Sequence, residues 1–272
     1  MEAILAFLFG LLAGSFLNVC IHRWPRGRSV VKPRSHCVRC RQTIAWYDNV
    51  PLLSYAVLGG RCRHCGKRIS LRYPLVELAT GLLFFYFVAT LGLTAAAVKM
   101  CIFAAMLVAL MFCDLEKRIL PDELTVGGAV VGFVLALVVP VPDITASALL
   151  WVFGLELRGA LQSLSESLCG ALLPALILWG GGWLYYKLRH REGLGFGDVK
   201  LIAMVGSFLG LRGALLTLIV GSLCGSLLGY GYIKATGQDA STYELPFGTF
   251  LGAAALAAAV AGPKVLGWYG GL

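Results

Sequence analysis

The sequence predicts an all-α, polytopic membrane helical bundle of about eight spans, with a small cytoplasmic four-cysteine segment resembling a zinc ribbon. Three observations carry this. Of 272 residues, 58% are hydrophobic and only 14% charged, with mean hydropathy +0.81; a soluble domain carries about a quarter charged residues. Apolar runs long enough to cross a bilayer recur along the chain. Lys and Arg concentrate in alternate loops. This composition excludes an ordinary soluble globule, a disordered chain and a small secreted scaffold.

The first span is expected at residues 3–21. Glu2 precedes it, and Arg23, Arg26 and Arg28 follow. That polarity is wrong for a cleaved signal peptide and predicts a retained helix with its N-terminus outside. Further spans are expected at 74–91, 95–113, 124–141, 168–186, 199–211, 214–233 and 247–262. The sixth is about 20 Å long if helical; partial insertion there gives seven spans instead. Segment 143–166 has apolar residues at helical spacing interrupted by Glu156 and Arg158. It reads as an amphipathic helix lying in the interface. Pro142–Asp143 and Pro174 punctuate only locally. The expected organisation is therefore a span at 1–21, a basic segment at 22–73, and a membrane core at 74–272.

Charge sets the orientation. Segment 22–73 holds twelve Lys/Arg against one acid, Asp48, and loops 114–123, 187–200 and 234–246 bring the total to nineteen. The other face holds four: Lys99, Arg158, Arg212 and Lys264. Nineteen against four places the first group in the cytoplasm. The net charge of +9 is thereby explained by loops, and no nucleic-acid partner is expected.

Cys37, Cys40, Cys62 and Cys65 form two C-x2-C knuckles, separated by twenty-one residues. Four thiolates at that spacing suit a structural Zn2+ site. The basic surroundings offset the negative centre, and a polar segment this small gains its stability from a metal. Two disulfides are the alternative, disfavoured by a reducing cytoplasm; redox-active pairs are another. His36 and His64 each adjoin a better ligand. The remaining cysteines read as small core residues.

Carboxylates are scarce, so each needs a reason. Asp114 ends the third span and Asp198 begins the sixth. The charge-derived topology puts both at the cytoplasmic membrane boundary. Two carboxyls that approach one another can share a proton, one acting as base on water and the other polarising a scissile carbonyl. The competing role is helix capping, with Asp198 as an N-cap. Gly193, Gly195 and Gly197 allow close backbone approach to a substrate; no strand precedes them, so a dinucleotide fingerprint is a poor reading. Asp122 and Glu123 start the fourth span, where they suit the helix dipole. Glu77 lies just inside the second span, which marks it as a functional candidate; a helix–helix hydrogen bond or a pair with Arg72 explains it equally.

Several segments carry a resemblance. Gly14 to Arg26 (GSFLNVCIHRWPR), Asn49 to Cys62, Arg72 to Gly81, Asp114 to Thr125, Gly193 to Leu201 (GLGFGDVKL) and Leu245 to Leu251 (LPFGTFL) are similar, in order, to the motifs of the type IV prepilin peptidase family. The resemblance implies that Asp114 and Asp198 are catalytic. It implies cleavage of prepilin or pseudopilin leaders at the cytoplasmic face of the bacterial inner membrane. It further implies S-adenosylmethionine-dependent methylation of the new N-terminus. No methyl-donor fingerprint is legible; Gly59–Gly60 and the cysteine segment are the suspects. Glu77, Glu116, Asp122 and Glu123, with Gly195 and Gly197, are candidates for positioning the substrate and its basic leader. Two other readings remain: a presenilin-like intramembrane aspartyl protease, which shares GxGD, and a non-enzymatic transporter or assembly protein with a zinc-ribbon docking module. The oligomeric state is not legible.

Overall fold

The computed structural model describes residues 1–141, 143–152, 154, 156–190, 195–236 and 245–270, with side chains to 261 in the last helix. Pro142, Arg191 and Gly193, and the side chain of Lys264, lie outside the described residues. The described residues are helical apart from loops and two isolated β-bridges. They form two compact units, Met1–Ala109 and Leu110–Leu272.

In the first unit, α1 (Glu2–Arg23) packs against a later helix, with the cysteine segment between them in sequence. That segment contains a 3-10 turn at Trp46–Asn49 and a short α2 (Leu53–Val57). It leads into α3 (Arg72–Leu91), and α4 (Ala95–Lys117) follows, its residues from Leu110 onward belonging to the second unit. The α1–α3 contact follows from an i, i+4 stripe on each helix. Gly10 faces Gly81, where a Cβ at Gly10 would lie 2.8 Å from the Gly81 Cα. Gly14 faces Glu77 at 2.7 Å on the same measure. One turn on, Asn18 Nδ2 donates to Tyr73 O at 3.1 Å. Lipid supplies no hydrophobic drive between helices, so small residues that let backbones touch are what hold such a pair.

The second unit contains α5 (Asp122–Ala136), α6 (Thr145–Val152), α7 (Ala160–Arg189), α8 (Phe196–Thr236) and α9 (Phe247–Gly270). Helix α7 crosses α8 where Gly170 meets Gly206, with no room for a Cβ on either. Pro174 removes the N–H that would otherwise bond the Gly170 carbonyl, and that oxygen is the atom a Cβ at Gly206 would strike. Ser167 Oγ donates to Ser207 O at 2.7 Å beside the crossing.

Five described helices are long and apolar enough to cross a membrane: α1, α3, α4, α7 and α8. The eight expected apolar segments are all helical, but their count as spans differs. The fourth is α5, which ends at Ala136 because Pro140 lies shortly beyond and disfavours helix before it. The sixth and seventh run together as α8, with a break at Gly210 (φ 75°, ψ −175°). The eighth is α9 (Phe247–Gly270), apolar over the described side chains Phe247–Ala261. Outward-facing Leu5, Phe9, Leu12 and Phe16 on α1, and Leu176 and Trp183 on α7, are exposed, as a lipid-facing surface requires.

Segment 143–166 is not one amphipathic helix. Gly154 (φ 73°) and Gly159 (φ 62°) adopt left-handed backbone, which separates α6 from α7. Glu156 and Arg158 pair at 2.9 Å in the exposed connection. Two buried acids organise this end. Glu166 accepts from Ala146 N and Ser147 N, each at 2.8 Å, and so caps α6. Asp143 Oδ1 accepts from Ile144 N at 2.8 Å, while its Oδ2 accepts from Arg212 N at 3.0 Å. Asp143 therefore satisfies the N–H exposed where α8 restarts after Gly210.

Candidate functional site

Within the second unit, Asp114 lies in the last turn of α4 and Asp198 in the first turn of α8. They are 5% and 9% exposed. Asp198 is not the N-cap of its helix. It lies two residues inside Phe196, and its N–H donates to Gly195 O at 3.1 Å. Asp114 is held from α9: Thr249 N donates to Asp114 Oδ2 at 2.6 Å and Thr249 Oγ1 reaches the same oxygen at 2.9 Å. Hydrogen bonds onto one oxygen fix the carboxyl plane and leave Oδ1 to act elsewhere.

Leu120 is wedged between the two helix starts. A Cβ at Gly197 would lie 3.2 Å from the Leu120 Cβ, and one at Gly248 would lie 3.0 Å from the Leu120 Cδ1 and 3.2 Å from the Asp114 Cγ. Glycine at 197 and 248 is what lets the first turns of α8 and α9 close on this side chain. The structure thus brings Asp114, Asp198, Gly195 and Gly197 together. Gly193 lies outside the described residues. Asp122 opens α5, as its helix-start position suggests, and pairs with Lys200 at 2.7 Å. Glu116 and Glu123 are exposed. Glu77 belongs to the first unit, is 7% exposed, and accepts from Leu52 N at 2.9 Å through Oε2. Thr249 and Leu120 escaped sequence reasoning, although both lie within quoted motifs.

The four cysteines of the first unit converge, their sulfurs all within 4.8 Å of one another. The knuckles repeat one local design. Cys37 N donates to Gln42 O and Cys62 N to Lys67 O, each at 2.9 Å, and the residue after each second cysteine is left-handed: Arg41 (φ 61°) and Gly66 (φ 65°). Cys37 Sγ and Cys65 Sγ are 3.9 Å apart. A tetrahedral Zn–S length of about 2.3 Å implies sulfur–sulfur edges of roughly 3.8 Å, so the cluster has the dimensions of a four-thiolate metal site. Backbone N–H groups of Cys65 and His64 lower the Cys62 thiol to about 7. Four sulfurs this close cannot all ionise without a cation among them. Asp48 braces the second knuckle through a two-pronged pair with Arg63 at 2.7 and 2.8 Å, and Arg63 holds its carboxyl below the usual range.

Two family profiles match the chain: the Bacterial Peptidase A24 N-terminal domain over residues 8–91, and the Type IV leader peptidase family over residues 101–230. A prepilin leader peptidase/N-methyltransferase of Aeromonas hydrophila is 36% identical over 290 residues, covering 97% of this chain and 92% of that protein. The protein of the same name from Pseudomonas aeruginosa is 34% identical, with 96% and 91% covered. That from Myxococcus xanthus is 40% identical over 87% of this chain, which spans only 64% of that relative's length. No solved structure matches.

Proposed function

The chain belongs to the type IV leader peptidase family, and from that premise we propose that it is an aspartyl endopeptidase of the bacterial inner membrane. It cuts the leader from type IV prepilins or type II secretion pseudopilins at the cytoplasmic face, and then methylates the new N-terminal amine from S-adenosylmethionine. The observation that carries the peptidase reading is the pair of buried carboxyls, Asp114 and Asp198, with Thr249 orienting one of them. The ionised member takes a proton from water, the resulting hydroxide attacks the scissile carbonyl carbon, and the protonated member donates to the carbonyl oxygen. Collapse of the tetrahedral intermediate breaks the C–N bond, with a proton passing to the leaving amine. The exposed acids Glu116 and Glu123 suit the basic leader of such a substrate. The N-terminus lies outside, and α6 lies at the opposite interface. Mass spectrometry of a co-expressed prepilin's N-terminus tests the whole proposal. The expected product is leaderless with one added methyl group; an intact leader sinks the peptidase reading, and a leaderless unmethylated product sinks the transferase reading.

Cys37, Cys40, Cys62 and Cys65 hold one structural Zn2+ per chain. Such a centre has no open position and supplies stability rather than activated water. Elemental analysis of protein purified without added zinc is expected to give one equivalent. A value near zero with four freely titratable thiols overturns the site.

Thr249 positions Asp114. Thr249→Val keeps the backbone donor and removes the hydroxyl, and a hydrogen bond to a charged group is worth about 1.5–3 kcal/mol. Leader cleavage is expected to slow by roughly tenfold or more in kcat, with KM little changed, and Thr249→Ser restores it. Equal kcat in the Val variant would remove Thr249 from the site.

A further inference from the structure

A lateral groove of about 390 Å³ opens along the basic end of α1. The chain builds it by folding back on the helix. After α1, Gly27 takes a left-handed backbone (φ 60°), which turns the chain sharply. Arg23 then clamps the returning segment. Its two terminal nitrogens donate to Ser29 O at 3.0 Å and Pro33 O at 2.7 Å. The groove left between helix and loop has two chemistries. One part is apolar, lined by Leu12 and Phe16 of α1 and by Val31 and Trp46 of the loop. All four are exposed, Val31 and Trp46 more than three-quarters so, at 78% and 77%. The other part carries Arg23 and Arg34, and no described Asp or Glu lines the groove. Arg23 is 6% exposed. Neither arginine pairs with a carboxylate among the described residues. Backbone carbonyls orient the Arg23 guanidinium but do not balance its charge, and a buried charge without a counter-ion is costly.

We propose that this groove binds one anionic phospholipid, with its phosphate between Arg23 and Arg34 and an acyl chain running down α1 over Phe16 and Leu12. The depth matches one leaflet. Leu12 lies about 16 Å along the helix from Arg23, at 1.5 Å per residue, and half the hydrocarbon core of a bilayer is about 15 Å. The groove holds the headgroup and part of one chain; the rest of the lipid lies on the exposed stripe that Phe9 and Leu5 continue. Trp46 stands beside the arginines, where an indole suits the headgroup level. Charge complementarity selects the headgroup. Two cations without an acid fit a net negative lipid, whereas a zwitterionic one brings its own cation against Arg34.

The test is native mass spectrometry of the full-length protein in detergent, titrated with phosphatidylglycerol or with phosphatidylcholine of the same chain length. One phosphatidylglycerol per chain is expected, held about tenfold or more tighter than phosphatidylcholine. Arg34→Gln is expected to weaken it about tenfold. Arg28→Gln removes an equal charge from the same loop outside the groove and should change binding no more than about twofold. Leu12→Trp fills the apolar part and should also weaken binding about tenfold. All three positions are exposed, so the helix packing is untouched. Equal loss in the Arg34 and Arg28 variants means attraction to the basic segment as a whole and overturns the site. Equal binding of the two lipids overturns the anionic assignment, and wild-type binding by Leu12→Trp overturns the groove as the seat of the chain. Inorganic phosphate that displaces the lipid at equal concentration makes this a free-anion site, and one-for-one displacement by a mature pilin makes it a substrate site; either result overturns the lipid.

Discussion

Asp114→Asn and Asp198→Asn are each expected to abolish leader cleavage while the helical core remains folded. The expected loss is at least about a thousandfold, because the mechanism needs a base and an acid together and neither amide can exchange the proton. Structure argues that folding survives. At position 114 an amide oxygen can still accept from Thr249 N and Oγ1, the two donors that now meet Oδ2. At position 198 the backbone bond to Gly195 O is untouched by the change. A longer carboxylate is no substitute. Gly248 already packs against the Asp114 carboxyl, where a Cβ would lie 3.2 Å from Cγ, so Asp114→Glu should be inactive too. The assay is cleavage of a purified prepilin, with thermal unfolding as the control for folding. Processing by either Asn variant near the wild-type rate would remove that residue from the pair.

Much of this site was legible because acids are rare in an apolar chain. Asp114 and Asp198 stood out at two span boundaries on one face, and glycines at 195 and 197 marked a tight approach. The partners that tune them were not legible. Thr249 is one threonine among many, and nothing in its local pattern says that α9 delivers it to α4. Leu120 reads as an apolar loop residue, yet it separates two glycine-lined turns. Asp143 and Glu166 are just as rare in their surroundings. Both are buried acids that cap α6 and the restart of α8, so neither behaves as a loop charge. Their cue was Pro140 and Pro142 followed by an acid, then a second acid inside an apolar run. Span number was less legible than span position. Hydropathy finds apolar stretches and separates 199–211 from 214–233 close to the Gly210 break, but that the two run on as α8, with Asp143 capping the restart, depends on tertiary partners. In the first unit the Gly10–Gly14–Asn18 spacing was present in the sequence. Its matching stripe of Tyr73, Glu77 and Gly81 becomes visible only once α1 and α3 are paired.

Replacing Cys62 and Cys65 together by serine is expected to reduce methylation far more than cleavage. Zinc bound by four thiolates contributes on the order of 10 kcal/mol in small zinc-dependent folds, and the cysteine segment has little else of that size to hold it. The Asp48–Arg63 pair has a half-exposed guanidinium, and a pair of that kind is worth about 1 kcal/mol or less. Loss of the proposed metal is therefore expected to loosen both knuckles. Those knuckles carry Cys37, Arg39, Arg63 and Lys67 into the wall of a cavity beside Asn18 and Glu77. The α1–α3 pairing through Gly10, Gly14 and Gly81 is backbone contact between helices and should persist. The aspartate pair, with Thr249 and Leu120, is built entirely within the second unit. Some loss of cleavage is expected if the loosened segment also helps seat the substrate. The deciding quantity is thus a ratio: cleaved and methylated N-termini counted on one substrate with one variant. A ratio that falls by about tenfold or more, a change worth about 1.4 kcal/mol, supports the division. Collapse of cleavage with methylation of a pre-cleaved pilin intact reverses the assignment of labour. Equal loss of both, with loss of folded protein, makes the cysteine segment a scaffold for the whole chain.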